Sequence, residues 1–173
     1  MIEVFAAKRK SSKMKSLERN TKMSAKIKSY LKSDEIYREL CREYDHDPDI
    51  LDGIAVVFTD DIDVTAKTIN AKIFLNSALL DEKIEIIARY LLHELTHSFQ
   101  HMEKEGKKIK EKNKVYLNRP EEMEAFQYQI KFDSKKRSED KVNKYVNDLL
   151  SYHNIPKEKR PEKKKELMDK IDE

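Results

Sequence analysis

The clearest pattern in the chain lies near its middle, where Ile84, Ile87, Leu91, Leu95, Phe99 and Met102 recur every three or four positions. That spacing puts them on one stripe of an amphipathic helix, predicted over about residues 80–103. The same period picks out Ile36, Tyr37, Leu40, Cys41 and Tyr44 in DEIYRELCREY, with Asp34 placed to cap the N-terminus. KIKSYL before it also reads as helix. Val142, Tyr145, Val146 and Leu149 predict another helix, from about Glu139 to Tyr152. Pro120 opens a further one at its first position, with Glu121 and Glu122 in the first turn, where the macrodipole favours carboxylates. GIAVVFTD reads as a short buried strand. TINAKIFLN alternates Ile69, Ala71, Ile73 and Leu75, the period of a strand with one face on the core. DHDPD, interrupted by Pro48, is a turn, and lysine-rich KEGKKIKEKNK (residues 104–114) an exposed loop. From Pro156 onward the nearly balanced charge predicts a peripheral helix or a frayed tail.

Composition narrows the fold class. Charged residues make up 40% of the 173 and apolar ones 38%, so much of the length is solvated surface. Two glycines, Gly53 and Gly106, and four prolines are too few for a turn-rich β-sandwich or barrel. The expectation is α+β: a mostly helical domain with a small sheet. The formal net charge of +3 conceals an asymmetry. Residues 8–28 hold nine basic side chains against Glu18 alone, and residues 34–63 hold eleven acidic against two basic. The basic stretch reads as a solvated, partly disordered arm. Contact with nucleic acid or an anionic surface is the functional alternative, although no aromatic residues interleave the lysines to stack on bases. Cys41 is the only cysteine, which excludes an internal disulfide and suits buried packing. With no apolar run of membrane-spanning length and no signal-like segment, the expectation is a soluble, cytoplasmic protein with no membrane partner.

Chemistry concentrates in ARYLLHELTHSFQH, residues 88–101, which holds three of the five histidines. At about 100° per residue, His93 and His97 share a face roughly opposite Leu95, one turn apart. Two imidazoles so spaced converge on one ion beyond the helix surface, and Glu94 points to the side where a metal-bound water would sit. The run His93-Glu94-Leu95-Thr96-His97 is HExxH, in which zinc acidifies a water and the glutamate accepts its proton. Burying these groups unsatisfied in a plain core would cost about 1–3 kcal/mol each. His101 continues the i+4 line but sits about 12 Å from His93 along a straight helix, too far for one ion to bridge. A three-histidine site would need a glycine turn, and SFQHME has none.

A catalytic zinc needs a third protein ligand and an open position. NRPEEMEAFQYQ is the best source, because Glu122 follows His97 by 25 residues, enough chain for the next helix to return antiparallel. Glu121, Glu122 and Glu124 compete for the role. Glu122 shares a face with Ala125, whose small side chain permits close approach. Glu124 points away from that face, and Glu121 best suits stabilisation of the helix start. Gln100, one turn beyond His97, is placed to support it. Tyr116 and His153 are candidates to stabilise an oxyanion, with packing as the plainer reading of each.

INAKIFLN, a helix bearing HELTH, and a later E-x-E-A-F helix together resemble the gluzincin-type minimal zincins. Within these, the chain is similar to small ImmA/IrrE-like and phage-encoded metallopeptidases over residues 54–133. The resemblance implies a zincin-like domain with a small twisted sheet packed on an active-site helix. It also implies a substrate laid along an edge strand, making residues 68–75 the candidate ledge. In zincins with an ExxA motif on the downstream helix, the first glutamate binds the metal. Here that motif falls on Glu122 and Ala125.

The expected protein is therefore a zinc-dependent metallopeptidase acting on a peptide or protein substrate. His93, His97 and Glu122 hold Zn2+, Glu94 is the general base and then proton donor to the leaving amine, and Tyr116 is the first candidate for the oxyanion. Manganese or iron accept the same ligands. The expected organisation is a basic arm and the start of the first helix over residues 1–30, the zincin-like domain over 31–153, and a charged helix or tail over 154–173. Two other classes compete. One is an inactive zincin scaffold that binds a partner. The other is a nucleic-acid-associated protein working through its basic arm.

Overall fold

No glycine or proline interrupts the first helix, α1, which runs over Ile2–Lys32. The computed structural model describes residues 2–103 and 116–171, and the loop expected at residues 104–114 lies outside them. Helix thus extends back through the stretch expected as a partly disordered arm. The reason is local: alanine, lysine, arginine and methionine are strong helix formers, and Ile27 and Leu31 anchor the far end in the core with no exposure. Asp34 caps α2 (Glu35–Glu43), its Oδ1 accepting from the backbone N–H of Ile36 at 2.8 Å and of Tyr37 at 3.3 Å. Ile36, Tyr37, Leu40 and Cys41 are buried. The aspartate-rich segment then turns, Asp47 accepting from the Asp49 N–H at 2.8 Å, into the one-turn helix α3 (Ile50–Gly53).

Three strands follow: β1 (Ala55–Thr59), β2 (Ala66–Ile69) and β3 (Lys72–Asn76). Their order is β1-β3-β2, with β1 parallel and β2 antiparallel to β3. TINAKIFLN is therefore a hairpin, not a single strand. Asn70 and Ala71 form its two-residue turn with φ of 49° and 59°, the positive values that such a turn requires. Directly paired residues share a face, and Ile69 pairs with Lys72 while Thr68 pairs with Ile73. Ile69 consequently points outward, 40% exposed, whereas Ile73 and Leu75 are buried. The expected ledge of residues 68–75 spans this hairpin. β3 is the central strand, so only β2 offers an edge there. β1 is half-buried, not enclosed on both sides: Val56 and Phe58 face the core, and Ala55 and Val57 face out.

A 3-10 turn over Ser77–Asp81, capped by the Asn76 side chain on the Ala78 N–H at 2.9 Å, delays the long helix by a turn. That helix, α4, runs over Ile84–Glu103 with Ile87, Leu91, Leu95 and Phe99 fully buried and Met102 39% exposed at its end. α5 (Pro120–Lys136) begins at its proline, α6 occupies Glu139–Tyr152, and α7 (Arg160–Met168) docks by Leu167, which is fully buried. Two apolar clusters result. One joins α1, α2, the sheet and α4 to Tyr128 and Phe132 of α5. The other joins Phe126 and Ile130 of α5 to Val142, Val146 and Leu150 of α6, with Leu117 and Leu167. α5 is shared between them. The fold is α+β, and among the described residues no helix is long and apolar enough to cross a membrane.

α4 and α5 are tied by a buried ion pair. Asp133, 1% exposed, accepts through Oδ2 from Arg89 and from Arg137, each at 2.9 Å. The Arg89 guanidinium lies over the rings of Tyr90 and Tyr145, 4.8 Å and 4.6 Å from their centroids. Asp133→Ala strands Arg89 in the interior and is expected to cost about 3–5 kcal/mol of unfolding free energy. Asp34→Ala removes a helix cap and a pair with the partly exposed Lys136, and is expected to cost about 1–2 kcal/mol. Urea denaturation of both variants checks this, and equal losses would show that the Arg89–Asp133 pair is not the stronger tie.

Candidate metal centre

Besides its apolar stripe, α4 presents His93, Glu94, Thr96 and His97, and all but His97 are buried. His93 Nε2 and His97 Nε2 lie 3.2 Å apart. α5 brings Glu122 Oε2 to 3.2 Å from His97 Nε2 and 3.7 Å from His93 Nε2. A tetrahedral zinc ion with bonds of about 2.0–2.1 Å separates its ligand atoms by about 3.3–3.4 Å. The three atoms already have that spacing. Among the described residues no other histidine, cysteine and carboxylate group gathers in this way.

Hydrogen bonds fix which atoms face inward. Gln100 Nε2 donates to the Glu121 carbonyl at 3.0 Å and to Glu124 Oε2 at 2.7 Å. Its Oε1 must then be the atom 2.9 Å from His97 Nδ1, which places the ring proton on Nδ1. In the neutral ring, Nε2 is left as a lone pair facing the Glu122 carboxylate. Two acceptors at 3.2 Å need a cation, either a proton or a metal ion. Burial disfavours a charged His97 ring, but Glu122, Gln100 and Glu94 together outweigh it and raise its pKa. Burial likewise opposes ionisation of Glu122, yet His93, His97 and Tyr116 hold its carboxyl well below the usual carboxylate range. The cluster is built for positive charge.

His93 is held by packing instead. The Phe126 ring meets it edge-on with centroids 4.5 Å apart, and His93 Nδ1 is buried without a hydrogen-bond partner among the described residues. Glu94 is anchored by the sheet: Thr68 Oγ1, on β2, donates to Glu94 Oε2 at 2.7 Å. Glu124 is turned away, its Oε2 accepting from Tyr44 and Gln100, each at 2.7 Å. His101 is exposed and outside the cluster. Tyr116 sits in the 3-10 turn Tyr116–Asn118 and reaches Glu122 with its hydroxyl. Burial and that carboxylate raise its pKa, so it stays a proton donor. His153 stacks on Tyr116, centroids 4.7 Å apart and planes 8° from parallel. Burial pushes its pKa down against the pull of Glu122.

The structure thus brings His93, His97, Glu122 and Tyr116 together beside Glu94, and leaves His101 and Glu124 out. Sequence reasoning missed Thr68 and Phe126 as supports. Thr68 was legible only as part of a strand, and its partner depends on a hairpin the pattern hid. Phe126 was legible only as a neighbour of Ala125. No family model, curated protein or solved structure matches the chain.

The hydrogen-bond pattern orders three variants by their effect on zinc affinity. Glu122→Ala is expected to weaken it most. Gln100→Leu, which frees the His97 ring and its proton, should weaken it about 10–100-fold. Glu124→Ala should weaken it least. Competition with a chromophoric chelator measures all three, and a larger loss in Glu124→Ala than in Glu122→Ala would move the ligand assignment.

Proposed function

We propose that the protein is a zinc-dependent metallopeptidase of the zincin kind, with His93, His97 and Glu122 holding the ion. The observation that carries this reading is the convergence of His93 Nε2, His97 Nε2 and Glu122 Oε2, with edges of 3.2, 3.2 and 3.7 Å, beside a glutamate one residue from the first histidine. When bound, zinc would polarise a peptide carbonyl and acidify a water. The chain's own residues do the rest. Thr68 takes up Glu94 Oε2 at 2.7 Å and leaves Oε1 as the proton acceptor. Glu94 takes the proton of the attacking water and passes it to the leaving amine. Gln100 keeps the His97 proton on Nδ1 so that Nε2 stays a ligand atom. Tyr116, kept protonated, donates its hydroxyl to Glu122 with His153 stacked behind it, and would stabilise a developing oxyanion by turning that hydroxyl away from the carboxylate.

β2 supports the choice of a peptide as substrate. Among the described residues it is an edge strand with no strand paired on the side away from β3, and Thr68 on it touches Glu94 directly. An extended peptide added to that edge lies next to the general base.

Glu94→Gln is expected to keep zinc at about one ion per chain while lowering cleavage of a peptide library by about 100-fold or more. Elemental analysis gives the first quantity, and mass spectrometry of the products the second. Cleavage at the wild-type rate would sink the mechanism. Wild-type protein that holds zinc but cleaves nothing would point to a scaffold that only binds.

A further inference from the structure

Tyr116 has a neighbour that the chemistry at the metal centre does not use. Among the described residues, the arginines that are at least partly buried are Arg89, Arg119, Arg137 and Arg160. Arg89 and Arg137 each donate to Asp133 at 2.9 Å, and Arg160 Nε donates to the Ile155 carbonyl at 2.8 Å. Arg119 is the exception. Its Nε is buried with no hydrogen-bond partner, and no carboxylate among the described residues forms an ion pair with its guanidinium. A partly buried cation without a counter-charge is unusual in a folded chain, because burial strips water from the charge. What holds Arg119 is an aromatic face. Its backbone N–H donates to the Tyr116 carbonyl at 3.2 Å, and its guanidinium lies over the Tyr116 ring, 5.4 Å from the centroid. A guanidinium on a ring keeps its edge donors for a planar acceptor. Glu122, three residues on, is not that acceptor, because its carboxylate is already drawn to His93, His97 and Tyr116.

We propose that Arg119 binds a carboxylate of the peptide substrate, and so selects peptides that carry one close to the cut bond. The inference rests on the peptidase reading and adds the class of substrate to it. Guanidinium and carboxylate match as a planar, charge-assisted pair joined by two hydrogen bonds. Distance limits where the group sits along the peptide. The guanidinium is 5.4 Å from a ring whose hydroxyl reaches Glu122, a span of about three residues of extended peptide or fewer, at about 3.3 Å each. A monoanion suits this setting better than a phosphate dianion, because Glu121 and Glu122 follow Arg119 directly in the first turn of α5 and like charges repel. The carboxylate belongs either to an aspartate or glutamate side chain or to the C-terminus of the peptide. The chemistry at Arg119 is the same for both, and the experiment separates them.

The probes are labelled alanine-based peptides that carry Glu, or Gln in its place, at each position in turn, with a free or an amidated C-terminus. Fluorescence anisotropy reads their binding to the full Glu94→Gln chain, with and without zinc, and product analysis reads their cleavage by the wild type. At one position, or at the free terminus, the carboxylate is expected to tighten binding about 10–100-fold over its amide. Arg119→Met is expected to abolish that preference and Arg119→Lys to keep part of it, with zinc content and melting temperature as in the parent chain. A preference at one fixed position assigns an acidic side chain, and a preference for the free terminus assigns the C-terminal carboxylate. No preference, one spread evenly over every position, or one that survives Arg119→Met overturns the proposal. Tighter binding of phosphoserine at the same position overturns the choice of anion. Binding through Arg119 with no cleavage by the wild type would sink the peptidase reading and leave the carboxylate site standing.

Discussion

The distance between α4 and α5 governs everything else at the centre. Glu122 belongs to a different helix from His93 and His97, and it reaches them because Ala125, fully buried, fills so little of the interface. Two polar ties hold the helices on either side of the cluster. Arg89 meets Asp133 toward one end, and Gln100 meets Glu124 and the Glu121 carbonyl toward the other. As the numbering rises along α4 it falls along α5, so the pair is antiparallel and fixed in register at both ends. A slip of one helical turn, about 5.4 Å, would carry Glu122 past both imidazoles.

Burying a polar helix face is costly unless each group finds a partner. α4 meets most of that requirement locally: Thr96 donates to the Leu92 carbonyl at 3.0 Å and Ser98 to that of Glu94 at 3.1 Å. Thr68 satisfies Glu94 from the sheet, and Gln100 satisfies one nitrogen of His97 from within the helix. What these bonds leave over is a cluster of acceptor atoms around a single point. The electrostatics of the site follow from this remainder, and not from an excess of acidic residues.

How much could be read beforehand depended on whether one element or several carried the information. α4, α6 and the start of α5 were legible because periodicity, a proline and first-turn carboxylates each act within one helix. His93, Glu94 and His97 were legible for the same reason, since i and i+4 positions share a face whatever surrounds them. Glu122 needed only the further assumption of an antiparallel return. The hairpin was hidden because a turn of Asn70 and Ala71 lacks the glycine that usually marks it, and the alternation of apolar residues continues unbroken across it. The helical character of residues 2–26 was hidden by charge: a helix without an apolar stripe leaves no periodic signal, only propensity. The supports of the site, Thr68 and Phe126, depend on pairings between distant segments and leave no mark on either segment alone.

The two apolar clusters meet along α5, and the histidine–glutamate group sits on that seam, with His93 and His97 from a helix of the first and Glu122 on the shared one. Any ion held there is a cross-link. It closes a loop of 25 residues between His97 and Glu122, removing chain entropy from the unfolded state much as a disulfide does. This chain has one buried cysteine and can form no internal disulfide of its own. Among the described residues those three side chains are the one group that could staple its two halves through an ion, so a metal held there for chemistry would also be a structural fastener.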